Sequence, residues 1–177
     1  PFCDTPLDEE IVGENVYLNI INKARRYVYI CTPYLIIDNE MMTALCLAAK
    51  NGVDVRIMTP GTPDKKLVFL LTQSYYRQLL ENGVKIYEYQ PGFLHAKTFV
   101  CDDEIAVVGT INLDYRSLYL HFEDGVWIYG NDVIWSMKED FVQTLEDCHT
   151  VPLEFCKNRK IPVRIMQNVL RAFAPML

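Results

Sequence analysis

Gly92-Phe-Leu-His95-Ala-Lys97-Thr-Phe-Val-Cys-Asp102, followed by Gly109-Thr110-Ile-Asn112 and then by Phe122-Glu123, is the stretch on which the reading of this chain turns. Residues i and i+2 of a strand point to the same face. His95 and Lys97 therefore project together if the strand over 96–101 begins that early. An imidazole able to attack, or to donate a proton, then sits beside a fixed ammonium. Asp102 has the opposite parity and falls at a turn, where it shapes the chain reversal or pairs with a basic neighbour. Gly109 permits close backbone approach. Thr110 and Asn112 offer a hydroxyl and an amide, both able to donate to phosphoryl oxygens. Glu123, on the next strand, is a candidate to hold one ring nitrogen of His95, fixing its tautomer and raising its basicity. The spacing supports phosphoryl chemistry and says nothing of the substrate.

Outward from this stretch, helix and strand patterns alternate. Glu9 to Arg26 reads as a helix with Val12, Val16, Ile20 and Ile21 on one side. Tyr27 to Thr32 is a β-rich run stopped by Pro33, and Asp38 is placed to cap a helix ending at Asn51-Gly52. A strand over 53–58, a helix over 67–81 and a strand over 84–89 complete a βαβαβ order. After it come two strands joined by a tight turn at Asp102-Asp103, a strand over 122–129, and helices over about 131–148 and 157–174. The expected class is α/β: a mixed, mostly parallel sheet with helices on both faces, in one domain over residues 1–177.

Composition narrows the partners. Of 177 residues half are hydrophobic, and the net charge is −6. Five basic residues and no acids lie between Lys157 and Leu177, leaving 12 basic against 23 acidic residues, or −11, on the remainder. An acidic body argues against a nucleic-acid binder, whereas the basic tail suits anionic lipid. No stretch reaches the ~18 apolar residues of a membrane span. The six cysteines form no Cys-x-x-Cys pair or zinc-like cluster, so reduced thiols and no metal site are expected. The chain opens at Pro1 rather than Met and is expected to be a fragment of something longer.

His95-x-Lys97-x4-Asp102 followed by Gly109-Thr110-x-Asn112 resembles the HKD motif of the phospholipase D superfamily, with Thr110 where Ser or Gly is usual. Thr32-Pro-Tyr-Leu35, Thr59-Pro-Gly-x-Pro-Asp-Lys-Lys66 and Asn112-Leu-Asp-Tyr-Arg-Ser117 narrow the likeness to the C-terminal half of bacterial cardiolipin synthases, over nearly the whole chain. The resemblance implies a single phospholipase D-type lobe carrying the second motif at 95–112. Its site residues would be His95, Lys97, Asp102 and Glu123, with Lys97, Thr110 and Asn112 on the substrate phosphate. It further implies that the complete site needs an N-terminal lobe of the same enzyme or a homodimer partner. One imidazole would form a phosphohistidine while the other protonates the leaving alcohol. Lys and Asn would stabilise the developing charge without metal or other cofactor. The implied reaction is phosphatidyl transfer between two phosphatidylglycerol molecules at a cell membrane. The alternative is a phosphodiesterase or nuclease of the same superfamily acting as a homodimer. In Leu120-His-Phe-Glu123, His121 stands where the family usually has Asn.

Other positions keep two readings each. His121 and His149 are lone histidines, read as surface or satisfied polar residues. Lys65 and Lys66 either touch phosphate or lie in a solvated loop. Tyr34, Tyr115 and Arg116 either line the pocket or pack at its rim. Ile161, Ile165, Val169, Phe173 and Leu177 recur every four residues beside Lys160, Arg164, Asn168 and Arg171. That amphipathic basic helix either docks on its own sheet or lies on a membrane surface.

Overall fold

Tyr27-Val-Tyr-Ile-Cys31 is buried at every residue and sits at the centre of the molecule. In the computed structural model, which describes residues 1–176, Val28 and Ile30 enter one apolar cluster while Tyr27, Tyr29 and Cys31 enter another on the opposite face. A strand that is apolar on both faces needs cover on both, and it has it.

In chain order the elements are β1 (Phe2–Asp4), α1 (Val12–Lys23), β2 (Tyr27–Cys31), β3 (Leu35–Ile36), α2 (Asn39–Lys50), β4 (Asp54–Pro60), α3 (Lys66–Glu81), β5 (Lys85–Tyr89), β6 (Thr98–Cys101), β7 (Ile105–Gly109), β8 (Leu113–Asp114), α4 (Tyr115–Tyr119), β9 (Glu123–Tyr129), α5 (Val133–Thr144), β10 (Cys148–Thr150), α6 (Leu153–Lys157) and α7 (Ile161–Ala172). An eight-stranded sheet has the order β1-β9-β7-β6-β2-β4-β5-β10, and β3 pairs with β8 beside it. Residues of α1, α2 and α3 form the larger cluster on one face, and Ile134 and Phe141 of α5 cover the other. Asp38 caps α2, accepting from the Met41 N–H at 2.8 Å.

The α/β class, the mixed sheet and the helices on both faces are as expected. The balance of strand directions is not. Parallel pairing in the large sheet is confined to β2-β4-β5, the βαβαβ segment, and the other ladders are antiparallel. A parallel connection needs about a dozen residues or more to cross over, and the three residues between β6 and β7 permit only a hairpin. Asp102 and Asp103 make that reversal with φ of 55° and 61°. The last predicted helix starts later than expected, because the extended backbone at Lys160 precedes α7 and Pro162 occupies its first turn. All six cysteines are free, and among the described residues no helix is long and apolar enough to cross a membrane.

Candidate active site

The parallel strand β2 ends beside β4, with Thr32 donating its N–H to the Met58 carbonyl at 3.1 Å, and β4 runs two residues further to Pro60. Ligand sites in open α/β sheets favour the carboxyl ends of such strands, and the predicted phosphate-handling residues converge at this edge. The antiparallel register of β2 with β6 pairs Cys31 with Thr98. Continued, it would set Lys97 against Thr32 and Ala96 against Pro33. Pro33 has no N–H, so the ladder stops. His95 and Lys97 therefore lie in the segment before β6 and do not project from a common strand face.

Their association takes another form. Lys97 is only 9% exposed, and its ammonium turns back to donate to the carbonyl of His95 at 2.7 Å. Burial pushes its pKa below the usual lysine range, while the carboxylates of Glu123 and Asp114 pull it partly back. The cation is thus held in a site of low polarity whose compensating charges are nearby. His95 itself is exposed, its ring 5.6 Å from that of Phe93, which is in turn 6.3 Å from Tyr34.

Gly109 brings the next two elements in. An added Cβ there would collide with the Asp124 carbonyl oxygen and meet the Gly125 Cα at 2.8 Å, so only glycine admits the approach of β9. Its N–H donates to the Lys97 carbonyl at 3.3 Å. Thr110 then joins the strands. Its hydroxyl donates to the Glu123 carboxylate and accepts from the Asp124 N–H at 2.9 Å. Asn112 donates its amide to the Ser117 hydroxyl at 2.8 Å, and its Oδ1 is buried without a hydrogen-bond partner. Such an orphaned acceptor typically costs about 1–3 kcal/mol.

Glu123 is buried and faces His121 rather than His95: His121 Nδ1 lies 3.9 Å from Glu123 Oε1. The other ring nitrogen of His121 accepts from Arg116 Nε at 2.7 Å. Tyr34, Lys65, Tyr115 and Arg116 line one cleft of about 280 Å³ together with Asn112 and His121. Lys66 instead opens α3. His149 lies in the edge strand β10, on the far side of the sheet from β9.

Asp102 is not in this group. Its carboxylate accepts from the backbone N–H groups of Arg25, Arg26 and Tyr27 at 2.7, 2.9 and 2.8 Å. It ties the hairpin to the start of β2, about 17 Å along the strand from Lys97 at ~3.4 Å per residue. The Arg26 guanidinium pairs with Asp103 at 3.0 Å and reaches only the main-chain oxygen of Asp102.

Asp114 was not among the expected site residues. It is buried, which pushes its carboxyl up, while the N–H groups of Ser117 and Arg116 counter that shift. It caps α4 through the Ser117 N–H at 2.9 Å, an Asp-x-x-Ser spacing visible in the sequence. Among the described residues no three His, Cys, Asp or Glu side chains gather as a metal-ligand set.

The architecture defines the class: a phospholipase D-type lobe. It superposes on the phospholipase D family member Nuc from Salmonella typhimurium with a TM-score of 0.69, 18% identity, and coverage of 78% of this chain and 90% of that one. It superposes on phosphatidylserine synthase from Haemophilus influenzae with a TM-score of 0.71, again at 18% identity, covering 93% of this chain and 42% of the other. Within that class the chain belongs to the family described as cardiolipin synthase, PLD-like domain, whose model matches residues 17–145. It is 46% identical to a cardiolipin synthase of Clostridium perfringens over 93% of this chain and 34% of that protein. It is 53% identical over its whole length to an uncharacterized protein of Streptococcus mutans, of which it covers 38%. The chain thus spans about a third of the length of the curated relatives it matches.

Proposed function

We propose that this chain is the second lobe of a two-lobed membrane enzyme that transfers a phosphatidyl group between two phosphatidylglycerol molecules, giving cardiolipin and glycerol. The carrying observation is the low-polarity cradle beside an exposed imidazole: Lys97 buried near Glu123 and Asp114, with the main chain of His95 fixed to it. The match to proteins named cardiolipin synthase supports the choice of substrate.

In this reading His95 is one of two imidazoles at the complete site. One attacks the phosphodiester phosphorus and forms a phosphohistidine as glycerol leaves with a proton from the other. The second phosphatidylglycerol then loses its hydroxyl proton to that other imidazole, and its oxygen attacks the phosphohistidine phosphorus. The N–P bond breaks, the phosphatidyl group passes to the acceptor as cardiolipin, and the first imidazole is regenerated. Lys97 stabilises charge developing on the phosphoryl oxygens, where a fixed cation in a poorly hydrated site acts most strongly. Asn112 adds its remaining amide hydrogen, and Thr110 holds the Glu123 carboxylate in place. The other half of the site comes from the N-terminal lobe.

The test is cardiolipin formation from phosphatidylglycerol vesicles by the two-lobed enzyme and its His95→Ala variant. A loss of about 10³-fold or more is expected. A variant retaining full transfer overturns the assignment. The 177-residue chain alone, shown to be monomeric, should be inactive. A second reading, a homodimeric phosphodiesterase or nuclease, draws on the Nuc superposition, in which a lobe of this size accounts for 90% of the neighbouring chain. Cleavage of plasmid DNA in place of phosphatidyl transfer would favour it.

A further inference from the structure

The surface of α7 is not explained by the fold or by the site. The helix docks on α3 by a largely polar side. Gln167 is 7% exposed and its amide donates to the Leu70 carbonyl at 3.2 Å, while the Arg171 guanidinium lies over the Tyr75 ring at 4.4 Å. Leu170 packs on the core between them. The outward arc is apolar. Ile161, Ile165, Val169 and Phe173 are 71%, 59%, 48% and 53% exposed. A helix placed only for its own burial turns such a stripe inward. Here the body covers one edge of it and leaves the rest uncovered.

The charge around the stripe has one sign. Lys157, Lys160 and Arg164 are exposed, and no acidic residue occurs between Lys157 and Met176. The rest of the chain carries −11. Beyond α7, the buried Ala174 lines the cleft that holds Asn112 and His121, which places the end of the helix beside that cleft.

We propose that the outward face of α7 lies in the interface of an anionic phospholipid bilayer and sets the cleft at the surface from which a lipid substrate enters. The proposal rests on the phospholipid reading given above. The apolar stripe supplies the inserted face, and the exposed cations meet anionic headgroups, as in interfacial amphipathic helices. The acidic remainder of the chain is repelled by the same surface, which fixes the orientation. A symmetric dimer through this face would bring the cations of one copy toward those of its partner, whereas anionic headgroups neutralise them.

The test is flotation of the 177-residue chain with vesicles of equal parts phosphatidylcholine and phosphatidylglycerol at low salt. The chain should float with these vesicles and not with pure phosphatidylcholine. Ile165→Glu/Val169→Glu should lower the partition coefficient at least tenfold, and Lys160→Ser/Arg164→Ser by about tenfold on the anionic vesicles alone. Circular dichroism and melting would establish that both variants fold. Independently, the Val169→Trp emission should shift to the blue on anionic vesicles. His95→Ala should float like the parent, so failure of the transfer reading and failure of this one are distinguishable. Absence of binding at low salt, or undiminished binding of the double-Glu variant, overturns the proposal. So does a dimer, seen by sedimentation velocity and abolished by the double-Glu variant, in a chain that binds no vesicles.

Discussion

The two ends of the central strands are built to opposite standards. At the hairpin end the carboxylates are saturated. Asp102 accepts three backbone N–H groups, and Asp103 binds Lys138 at 2.6 Å and the Tyr27 hydroxyl at 2.8 Å. Burial would raise Asp103, but the hydrogen bonds from Lys138 and Tyr27 outweigh it and hold its carboxyl below the usual range. At the carboxyl end polar groups are buried and incompletely answered. Lys97 lies in a low-polarity niche, and Glu14 Oε1 and Asn112 Oδ1 are buried without partners. Buried polar atoms are ordinarily paired. Where a fold leaves them unpaired at one edge and pairs them fully at the other, the first edge is arranged for something other than stability.

The largest expected effects separate the two ends by what they damage. Lys97→Gln should cost about 10²–10³-fold in kcat of the two-lobed enzyme, on the order of 2.7–4 kcal/mol of transition-state stabilisation. Its melting temperature should hold or rise, because a buried ammonium is replaced by a neutral group. Asp102→Ala should do the reverse. Removing an acceptor of three backbone N–H groups, at a residue with φ of 55°, should cost about 3 kcal/mol, or about 6–12 °C in Tm. Activity per folded molecule should remain. Loss of activity in folded Asp102→Ala, measured against the fraction folded by circular dichroism, would end the contrast.

A smaller effect sharpens the site end. His121 is held between Arg116 and Glu123, and replacing it with Asn shortens the side chain that faces Glu123. His121→Asn should change kcat/KM less than tenfold, because Thr110 still holds the carboxylate. A change as large as that of Lys97→Gln would place His121 among the catalytic groups.

Legibility in the sequence followed the same division. The βαβαβ segment was readable because its apolar periods are long and end in Pro or Asn-Gly. β1, β3, β8 and β10 were not, since strands of two or three residues are defined by their partners and carry no period of their own. Asp102 was placed at the turn by strand parity, against the family signature. The relation of His95 to Lys97 turns on where β6 begins, and that is set by Pro33, which follows β2 and stops the ladder before it reaches them. The stripe on α7 was visible, but which arc of the helix would dock depends on the polar partners that α3 presents. Asp114 carries no such signal as a site residue, because its burial is set by the pairing of β8 with β3 and not by a local pattern.

Glu14 offers the finest measurement on the incomplete end. Burial, aided by its hydrogen bond with Asp38, pushes its carboxyl up to about 7, and the Tyr119 hydroxyl opposes this only in part. An unfolded glutamate titrates near ~4.3. Between those values the folded chain keeps a proton that the unfolded chain has lost. This contribution is therefore fully present below about pH 4.3 and disappears as pH rises through about 7. Asp38 moves the opposite way: burial would raise it, but hydrogen bonds from Glu14, Tyr119 and the Met41 N–H hold it low. Its contribution is lost only as pH falls below the ordinary carboxylate range, outside the window from pH 5.5 to 8. Across that window urea unfolding should show the chain about 1–2 kcal/mol more stable at the acidic end. Glu14→Gln, neutral throughout, should flatten the difference, and an unchanged slope in that variant would move the titration to another group.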